Sequence, residues 1–354
     1  MKVGIFSPVS TLCILFFLVF TLQFVLFERL EVADGESWMK SSSKFALSIP
    51  PPDFDNMSIH PGTTVTVPTG LLLAAGVTAV DALAFTMAFL IAGLVVLLCG
   101  QAYLLRKESL WWIGMVALFA LNPLYITTTP PSAIALLVTI SWILLLLHIR
   151  ENGSRSAYIP VFAGMIAGVL IATRIDTAVL VLGISLPYVL YLLGKKTWLV
   201  AGVACIAFYA FDPYLWHDPF GHLLSIADQI KTNATFLQSP IHITHALPAL
   251  AVFVFCALST VLYQKKDVIP RDFFIFLILL SAYITLVVSF LQYHPIRYYM
   301  PALVTWEALF PLYFINLVQP EHTEKKSWLV WFWLFIVFVF CVRALSFSFI
   351  QGVT

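Results

Sequence analysis

Long runs of apolar residues with almost no charge are the feature that most limits the folds open to this chain. Residues 12–27, 82–98 and 328–345 are such runs, and each, alone or with its flanks, can cross a hydrocarbon layer of roughly 30 Å as a helix. Only 10% of the residues are charged, whereas a soluble domain carries about a quarter. No short alternating strands of a membrane barrel are visible. The sequence predicts an all-α fold, a polytopic bundle of transmembrane helices.

Basic residues decide how the two longest apolar stretches are divided. Residues 109–149 and 158–193 are each too long for one helix, and each has lysine or arginine beyond both of its ends. Loops rich in these residues face the cytoplasm, so each stretch is predicted to be a hairpin that turns outside, at Pro130-Pro131 and at Arg174-Ile175-Asp176. The N-terminus is then cytoplasmic. The predicted spans, about eleven, are 4–27, 79–105, 110–128, 131–149, 157–172, 176–194, 197–215, 245–264, 272–292, 299–318 and 328–350.

The whole chain, residues 1–354, is predicted to be a single transmembrane domain with two long outer loops. The first loop, 28–78, contains a weakly amphipathic segment at 38–47 that predicts an interfacial helix. Residues 67–77 are too few to cross the bilayer and predict a re-entrant or surface helix. The second outer loop is 216–244. We expect an integral membrane protein, located in the plasma membrane if the host is prokaryotic.

Asp34 and Glu36, just beyond the first span, are the candidate catalytic residues. Carboxylates at this position either cap a solvated helix or carry out chemistry, and the residues alone leave both interpretations open. Most of the acidic residues and histidines fall on the predicted outer side, whereas the basic loops are predicted to be inside. This asymmetry predicts that the functional polar groups lie on the outer face.

Arginine occurs in two of the short outer turns, as Arg174 and as Arg297. An arginine at a membrane boundary can simply extend its head into water, but ionisable groups between apolar helices tend to mark function. A guanidinium group binds phosphate through two parallel hydrogen bonds, so both residues are candidates for binding a phosphate. For the nearby aromatic residues Tyr298 and Tyr299, stacking on the face of a substrate ring is one interpretation, and anchoring at the membrane surface is the other. The other candidate substrate-binding residues are Asp176, His60, Tyr298, Tyr299, His294 and Asp212.

Four short motifs occur in a fixed order along the chain. They are Asp34 with Glu36, His60-Pro61-Gly62-Thr63, Thr173-Arg174-Ile175-Asp176 and Arg297-Tyr298-Tyr299-Met300-Pro301-Ala302. Together they resemble the landmarks of GT-C membrane glycosyltransferases, in the branch that includes protein O-mannosyltransferases and lipid A aminoarabinose transferases. The resemblance covers roughly residues 1–318. It implies a GT-C-like fold, a polyprenyl-phosphate-linked sugar as donor, an active site on the non-cytoplasmic face, and Asp34 as the catalytic base.

A sugar transfer by one displacement inverts the anomeric centre, and it needs a base for the acceptor hydroxyl and stabilisation of the departing phosphate. Asp34 or Glu36 meets the first need, and Arg297, with Arg174 as a second candidate, meets the other. The function expected is transfer of a hexosyl or pentosyl group from a lipid phosphate to a glycan, lipid or protein. One alternative is a transporter or flippase of a lipid-linked saccharide, although no inverted repeat is visible. A non-catalytic membrane subunit is the other.

The sequence identifies no certain cofactor, and a divalent metal stays open. His217, Asp218 and His222 have a short spacing that suits a divalent metal such as zinc or manganese, and ordinary hydrogen bonding is the alternative for them. The basic residues form no footprint for nucleic acid. The expected partners are therefore the membrane, the lipid-linked donor and the acceptor.

Overall fold

The computed structural model describes seven stretches of the chain: residues 8–27, 35–50, 62–106, 130–153, 156–233, 269–290 and 300–307. Several predicted features lie outside these stretches: Asp34, His60, His294, Arg297, Tyr298, Tyr299 and the spans 110–128, 245–264 and 328–350. What the sequence indicates about them stays a prediction.

Every regular element in the described stretches is a helix, and no strand occurs among them, so the all-α class is confirmed for this part of the chain. The helices are α1 (Pro8–Phe27), α2 (Gly35–Leu47), α3 (Thr63–Ala74), α4 (Ala79–Arg106), α5 (Pro130–Asn152), α6 (Tyr158–Thr173), α7 (Ile175–Leu193), α8 (Thr197–Phe211), α9 (Tyr214–His217), α10 (Pro219–Asn233), α11 (Arg271–Phe290) and α12 (Met300–Glu307).

Within the part of the chain that the structure describes, four helical stretches are long and apolar enough to cross a membrane: Ala79–Leu105, Pro130–Asn152, Ile175–Phe211 and Arg271–Val288. The third combines α7 and α8, which a 3-10 turn at Gly194–Lys196 divides. Gly194 has a φ of 53°, which a glycine adopts without the steric cost that other residues meet there. The protein is thus membrane-embedded, whereas the total of eleven spans stays a prediction.

Helices α6 and α8 run parallel and in close contact. A Cβ atom added at Gly164 would lie 2.5 Å from Val203 Cβ, and one added at Gly168 would lie 2.5 Å from Ala207 Cβ. The residue numbers of the two contacts rise together in both helices, so α6 and α8 point in the same direction. Helix α7, which connects them in the sequence, runs antiparallel to both. Small residues allow this close approach inside a bilayer. The hairpin predicted at residues 174–176 is therefore observed.

Two polar contacts define the ends of the bundle. Near the start of α5, Ser132 is hydrogen-bonded to Arg174, and we call this side the Arg174 end. At the other end of α5, Arg150 Nε lies 2.6 Å from Asp272 Oδ2 at the start of α11, which defines the Arg150 end. Since α8 runs parallel to α6, its last residue, Phe211, lies at the Arg174 end.

Helix α5 is the centre of the bundle, because nearly all of its residues are buried. Gln101 Nε2 of α4 donates to the Ser141 carbonyl oxygen at 3.2 Å, and Trp142 Nε1 donates to Ser185 Oγ of α7 at 3.2 Å. Hydrogen bonds between helices in a bilayer contribute on the order of 0.6 kcal/mol each. These two hydrogen bonds therefore hold α4 and α7 against α5, while leucine and isoleucine side chains fill the space between the helices.

Helices α1 and α4 form an antiparallel pair beside α5. The Phe16 ring packs edge-on against Phe89, and the Phe20 ring packs edge-on against Phe85. The partner numbers fall as the α1 numbers rise, which fixes the antiparallel direction. This agrees with the predicted opposite directions of the first two spans.

Candidate functional site

Arg174 occupies the single-residue connection between α6 and α7, with extended backbone angles of φ −153° and ψ 107°. Its side chain is only 4% exposed. Nε donates to Asp176 Oδ1 at 3.0 Å, Nη2 donates to Asp176 Oδ2 at 2.5 Å, and Nη1 donates to Ser132 Oγ at 2.5 Å. The guanidinium group is thus held by a two-point ion pair within its own turn and by a hydroxyl group of the central helix.

Asp176 also holds the start of α7. Its Oδ1 accepts a hydrogen bond from the Thr177 backbone N–H at 2.7 Å, within the first turn of that helix. The first N–H groups of a helix have no partner inside the helix, and the helix dipole favours a negative charge there. One carboxylate therefore pairs with Arg174 and stabilises the helix start, which keeps the tight hairpin in one conformation.

The first loop meets this hairpin through α3. Thr63 Oγ1 donates to the Ala172 carbonyl oxygen at 3.2 Å, and the hydroxyl groups of Thr64 and Thr173 lie 3.0 Å apart. Thr63 belongs to one motif and Thr173 to another, and each bonds to a residue that directly neighbours the other motif, 109 residues away along the chain. The structure therefore brings the described part of the His60–Thr63 motif against the Thr173–Asp176 motif.

Gly62 shows why the first of these motifs contains a glycine. It lies at the start of α3 with a φ of 52°, in the left-handed region. A Cβ atom at this position would lie 2.6 Å from Trp38 Cζ3 and 2.9 Å from Pro131 Cγ. Only glycine fits both the backbone angle and the space. Helices α2, α3 and α5 thus converge at Gly62, at the Arg174 end.

Helix α2, which directly follows Asp34 in the sequence, lies next to this cluster. The helix begins at Gly35, directly after Asp34, and Glu36 is exposed in its first turn. Trp38, two residues further along, is buried against Gly62. The sequence predicted an interfacial helix at 38–47, and a helix is observed there, but its aromatic residues Trp38 and Phe45 pack into the protein and not into lipid.

A second cluster contains Asp212, which directly follows α8, and His222 of α10. Both side chains are fully buried, and His222 Nε2 lies 2.9 Å from Asp212 Oδ2. The His222 ring stacks on Tyr214, and the Tyr214 ring packs edge-on against Phe45 of α2. Burial raises the pKa of the Asp212 carboxyl group, and the hydrogen bond to His222 only partly opposes this effect.

The three candidate metal ligands do not point toward one another. His217 and Asp218 are exposed, whereas His222 points inward to Asp212. Asp218 Oδ1 accepts from the Gly221 backbone N–H at 2.8 Å and so stabilises the start of α10. Within the seven described stretches, no three histidine, cysteine or acidic side chains lie together as a metal would require. Hydrogen bonding is the observed role of His222 and Asp218.

Three residues at the Arg174 end were not among the predicted site residues: Ser132, Trp38 and Thr64. Ser132 follows Pro130-Pro131, and this prolyl pair marked the turn, but nothing in the sequence indicated that the hydroxyl group meets Arg174. The last motif reaches the described part of the chain only at Met300, where α12 begins and packs against α5 and α11.

Comparison with known proteins adds no assignment. No family model matches this chain. No curated protein and no solved structure matches it at a significant level either.

The Arg174 end consists of one ion pair surrounded by hydroxyl groups. The Nε–Nη2 edge of Arg174, one of the two edges that could bind a phosphate through paired hydrogen bonds, is instead paired with Asp176. Around this neutral pair are hydroxyl groups from three helices: Ser132, Thr64 and Thr173. The arrangement is a rigid polar platform at one end of an apolar bundle, and the segment after Asp34 lies against it.

Proposed function

We propose that this protein is a membrane glycosyltransferase that moves a sugar from a polyprenyl-phosphate donor to an acceptor on the non-cytoplasmic face. The observation that supports this most directly is the meeting of three motif regions at the Arg174 end. These are helix α2 after Asp34, the Gly62–Thr63 turn and the Thr173–Asp176 hairpin. Segments that are distant in sequence and polar in character converge where a lipid-linked substrate in the bilayer could reach them.

The proposed reaction is a single displacement. Asp34, with Glu36 as the alternative, takes the proton of the acceptor hydroxyl group, whose oxygen attacks the anomeric carbon. The bond from that carbon to the phosphate oxygen breaks, and the lipid phosphate leaves with the electron pair. The product has inverted configuration at the anomeric carbon. Arg297 is the proposed partner of the phosphate charge, because one bidentate edge of Arg174 is already bonded to Asp176.

In this proposal Arg174 and Asp176 are positioning residues. They fix the hairpin on which α3 rests through Thr63 and Thr64, and α3 in turn contacts α2 at Gly62. Helix α2, which directly follows position 34 in the sequence, is therefore connected to the bundle by a short series of packed elements. His60, Tyr298, Tyr299 and His294 keep their place as candidate substrate-binding residues, whereas Asp212 is fully buried and bonded to His222.

The test is sugar transfer by the purified protein in lipid nanodiscs. A panel of polyprenyl-phosphate sugars is supplied, and release of the lipid phosphate is measured with each candidate acceptor. Asp34→Asn is expected to reduce turnover by about 10²–10⁴-fold, the usual contribution of a general base. Glu36→Gln shows which of the two acids is the base, and Asp228→Asn, an exposed acid on α10, is the matched control.

Two outcomes would contradict the proposal. Full turnover in both Asp34→Asn and Glu36→Gln would remove the catalytic assignment. Movement of an intact lipid-linked sugar between leaflets, with no release of lipid phosphate, would favour the flippase alternative.

A further inference from the structure

Helix α10 (Pro219–Asn233) exposes an apolar face that no described part of the protein covers. Phe220 is 78% exposed and Leu224 is 70% exposed, and Leu223 is exposed as well. In the same helix His222 and Ile226 are buried against the protein. The helix therefore has one face that holds it to the bundle and a second, apolar face directed outward.

The spacing of these residues makes the outward face continuous. At about 100° per residue, Phe220, Leu223 and Leu224 fall within an arc of roughly 100°. Asp228 lies beyond one edge of that arc and Ile226 beyond the other, and Ser225 and His222 lie on the opposite side of the helix. An apolar arc of this width, with a polar residue beyond one edge, is the pattern of a helix that lies in a membrane surface.

The level of α10 along the bundle is fixed by the buried pair. Asp212 directly follows Phe211, where the apolar helix α8 ends, and His222 in the first turns of α10 lies 2.9 Å from it. Trp216, between the two helices, donates its Nε1–H to the Tyr209 carbonyl oxygen at 2.6 Å. The first turns of α10 are therefore held at the height where a membrane-spanning helix leaves the hydrocarbon layer.

The surface of α8 below that height is itself apolar and exposed. Ile206 is 70% exposed, and Tyr209 and Phe211 are exposed too. In a membrane-embedded bundle, such a surface is covered by acyl chains. The contact between His222 and Asp212 places α10 at the level where α8 ends, so the lipid layer that covers the exposed surface of α8 extends to the level of α10.

We propose that the apolar face of α10, formed by Phe220, Leu223 and Leu224, lies in the interfacial layer of the bilayer and contacts phospholipid acyl chains. The occupant of this face is lipid, because the contact between His222 and Asp212 holds the helix at the bilayer boundary. Helix α2 provides the contrast, since its aromatic residues Trp38 and Phe45 are buried in the protein. This inference does not rest on the proposed sugar transfer.

The test uses a photoreactive amino acid, p-benzoylphenylalanine, in the full chain reconstituted into phosphatidylcholine and phosphatidylglycerol vesicles. It is placed at position 220 in one sample, at position 206 on α8 as the lipid-facing reference, and at position 228 on the polar edge of α10 as the matched control. After irradiation, mass spectrometry identifies what each site has captured. We expect phospholipid adducts at 220 with a yield within about twofold of that at 206 and at least about fivefold above that at 228.

Two results would overturn the inference. One is capture of a second copy of the chain at position 220, seen as a covalent dimer. The other is a yield of lipid adducts at position 220 no higher than at position 228, while position 206 captures lipid as expected. The reference at position 206 also confirms that the labelled proteins are inserted in the vesicles.

Discussion

Arg174 combines deep burial with a full charge, and its partner Asp176 is what makes this possible. Burying a single charge is costly unless an opposite charge and hydrogen bonds compensate it. Here the Asp176 carboxylate provides the opposite charge and accepts two hydrogen bonds from Arg174, and Ser132 Oγ accepts a third. The pair therefore stabilises the hairpin mainly by preventing the penalty that either charge alone would cause.

Asp176→Asn is expected to lower the free energy of unfolding by about 3 kcal/mol, the low end for a broken buried pair, because Asp176 is partly exposed. The amide cannot offset the guanidinium charge. Denaturant titration of the purified protein in mixed micelles measures the change. Lys40→Gln, which removes an exposed charge on α2, should change the value by less than about 0.5 kcal/mol. An Asp176→Asn protein as stable as the native one would mean that the pair contributes no net stability.

At the residue scale, the sequence located the polar turns but did not show which side chains bond to each other. It placed Arg174 and Asp176 in one turn and assigned both to the substrate, whereas the structure pairs them with each other. Asp212 and His222 were chosen for separate reasons, one as a substrate ligand and the other as a metal ligand, yet they bond to each other. Their contact depends on how the chain turns at Pro213 and Pro219, and hydropathy does not encode that geometry.

At the level of helices, hydropathy and charge were sufficient to locate most elements in the described stretches. The predicted span 131–149 corresponds to Pro130–Asn152, and 79–105 corresponds to Ala79–Arg106. The span predicted at 197–215 ends earlier, at Phe211, because Asp212 leaves the helix and its Oδ1 accepts the Tyr214 backbone N–H at 3.3 Å. A local side-chain contact thus ended the helix within an apolar run.

Which helices touch could not be read from the sequence. The parallel contact of α6 and α8 depends on two glycines that face neighbouring backbone, whereas Gly183 and Gly202 in the adjacent helices face open space. All four glycines lie in similar apolar segments. Only the packing distinguishes the structural pair from the others.

Gly168→Ala is expected to destabilise the protein by about 2 kcal/mol, within the usual range for overpacking. The added Cβ atom would lie 2.5 Å from Ala207 Cβ and 2.6 Å from the Ala204 carbonyl oxygen, so α6 and α8 would have to separate. Gly202→Ala on α8 is the matched control, where added helix propensity should leave stability unchanged or raise it by up to about 1 kcal/mol. Thermal unfolding of both variants in detergent provides the comparison. Equal stability of the two would contradict the close parallel packing.

Over the whole molecule, the described helices are tied together by polar contacts at both ends of an apolar interior. At the Arg150 end, Asp272 accepts from Arg150 Nε at 2.6 Å and from the Tyr188 hydroxyl group at 3.1 Å, which joins α5, α7 and α11. At the other end, Arg174, Asp176 and Ser132 join the α6–α7 hairpin to α5. Apolar side chains fill the space between but fit many arrangements, so these end contacts select one.

The orientation of the bundle in the membrane follows from the distribution of its charges. Lys195 and Lys196 are exposed at the end opposite Arg174, because α7 runs away from Arg174 and ends just before them. Basic residues in short loops stay on the cytoplasmic side. The Arg174 end, with Ser37 exposed on α2, is then expected to face outward.

Cysteine labelling of intact cells tests this orientation. A membrane-impermeant maleimide should label Ser37→Cys from outside, whereas Lys195→Cys should react only after the membrane is permeabilised. The unaltered chain is the control for its five native cysteines, of which Cys13 and Cys205 lie exposed on apolar helices that the bilayer covers. The opposite pattern would place the Arg174 end in the cytoplasm. A reaction at that end would then have to use a donor in the inner leaflet, so the proposed sidedness of the sugar transfer would be wrong even if the chemistry were right.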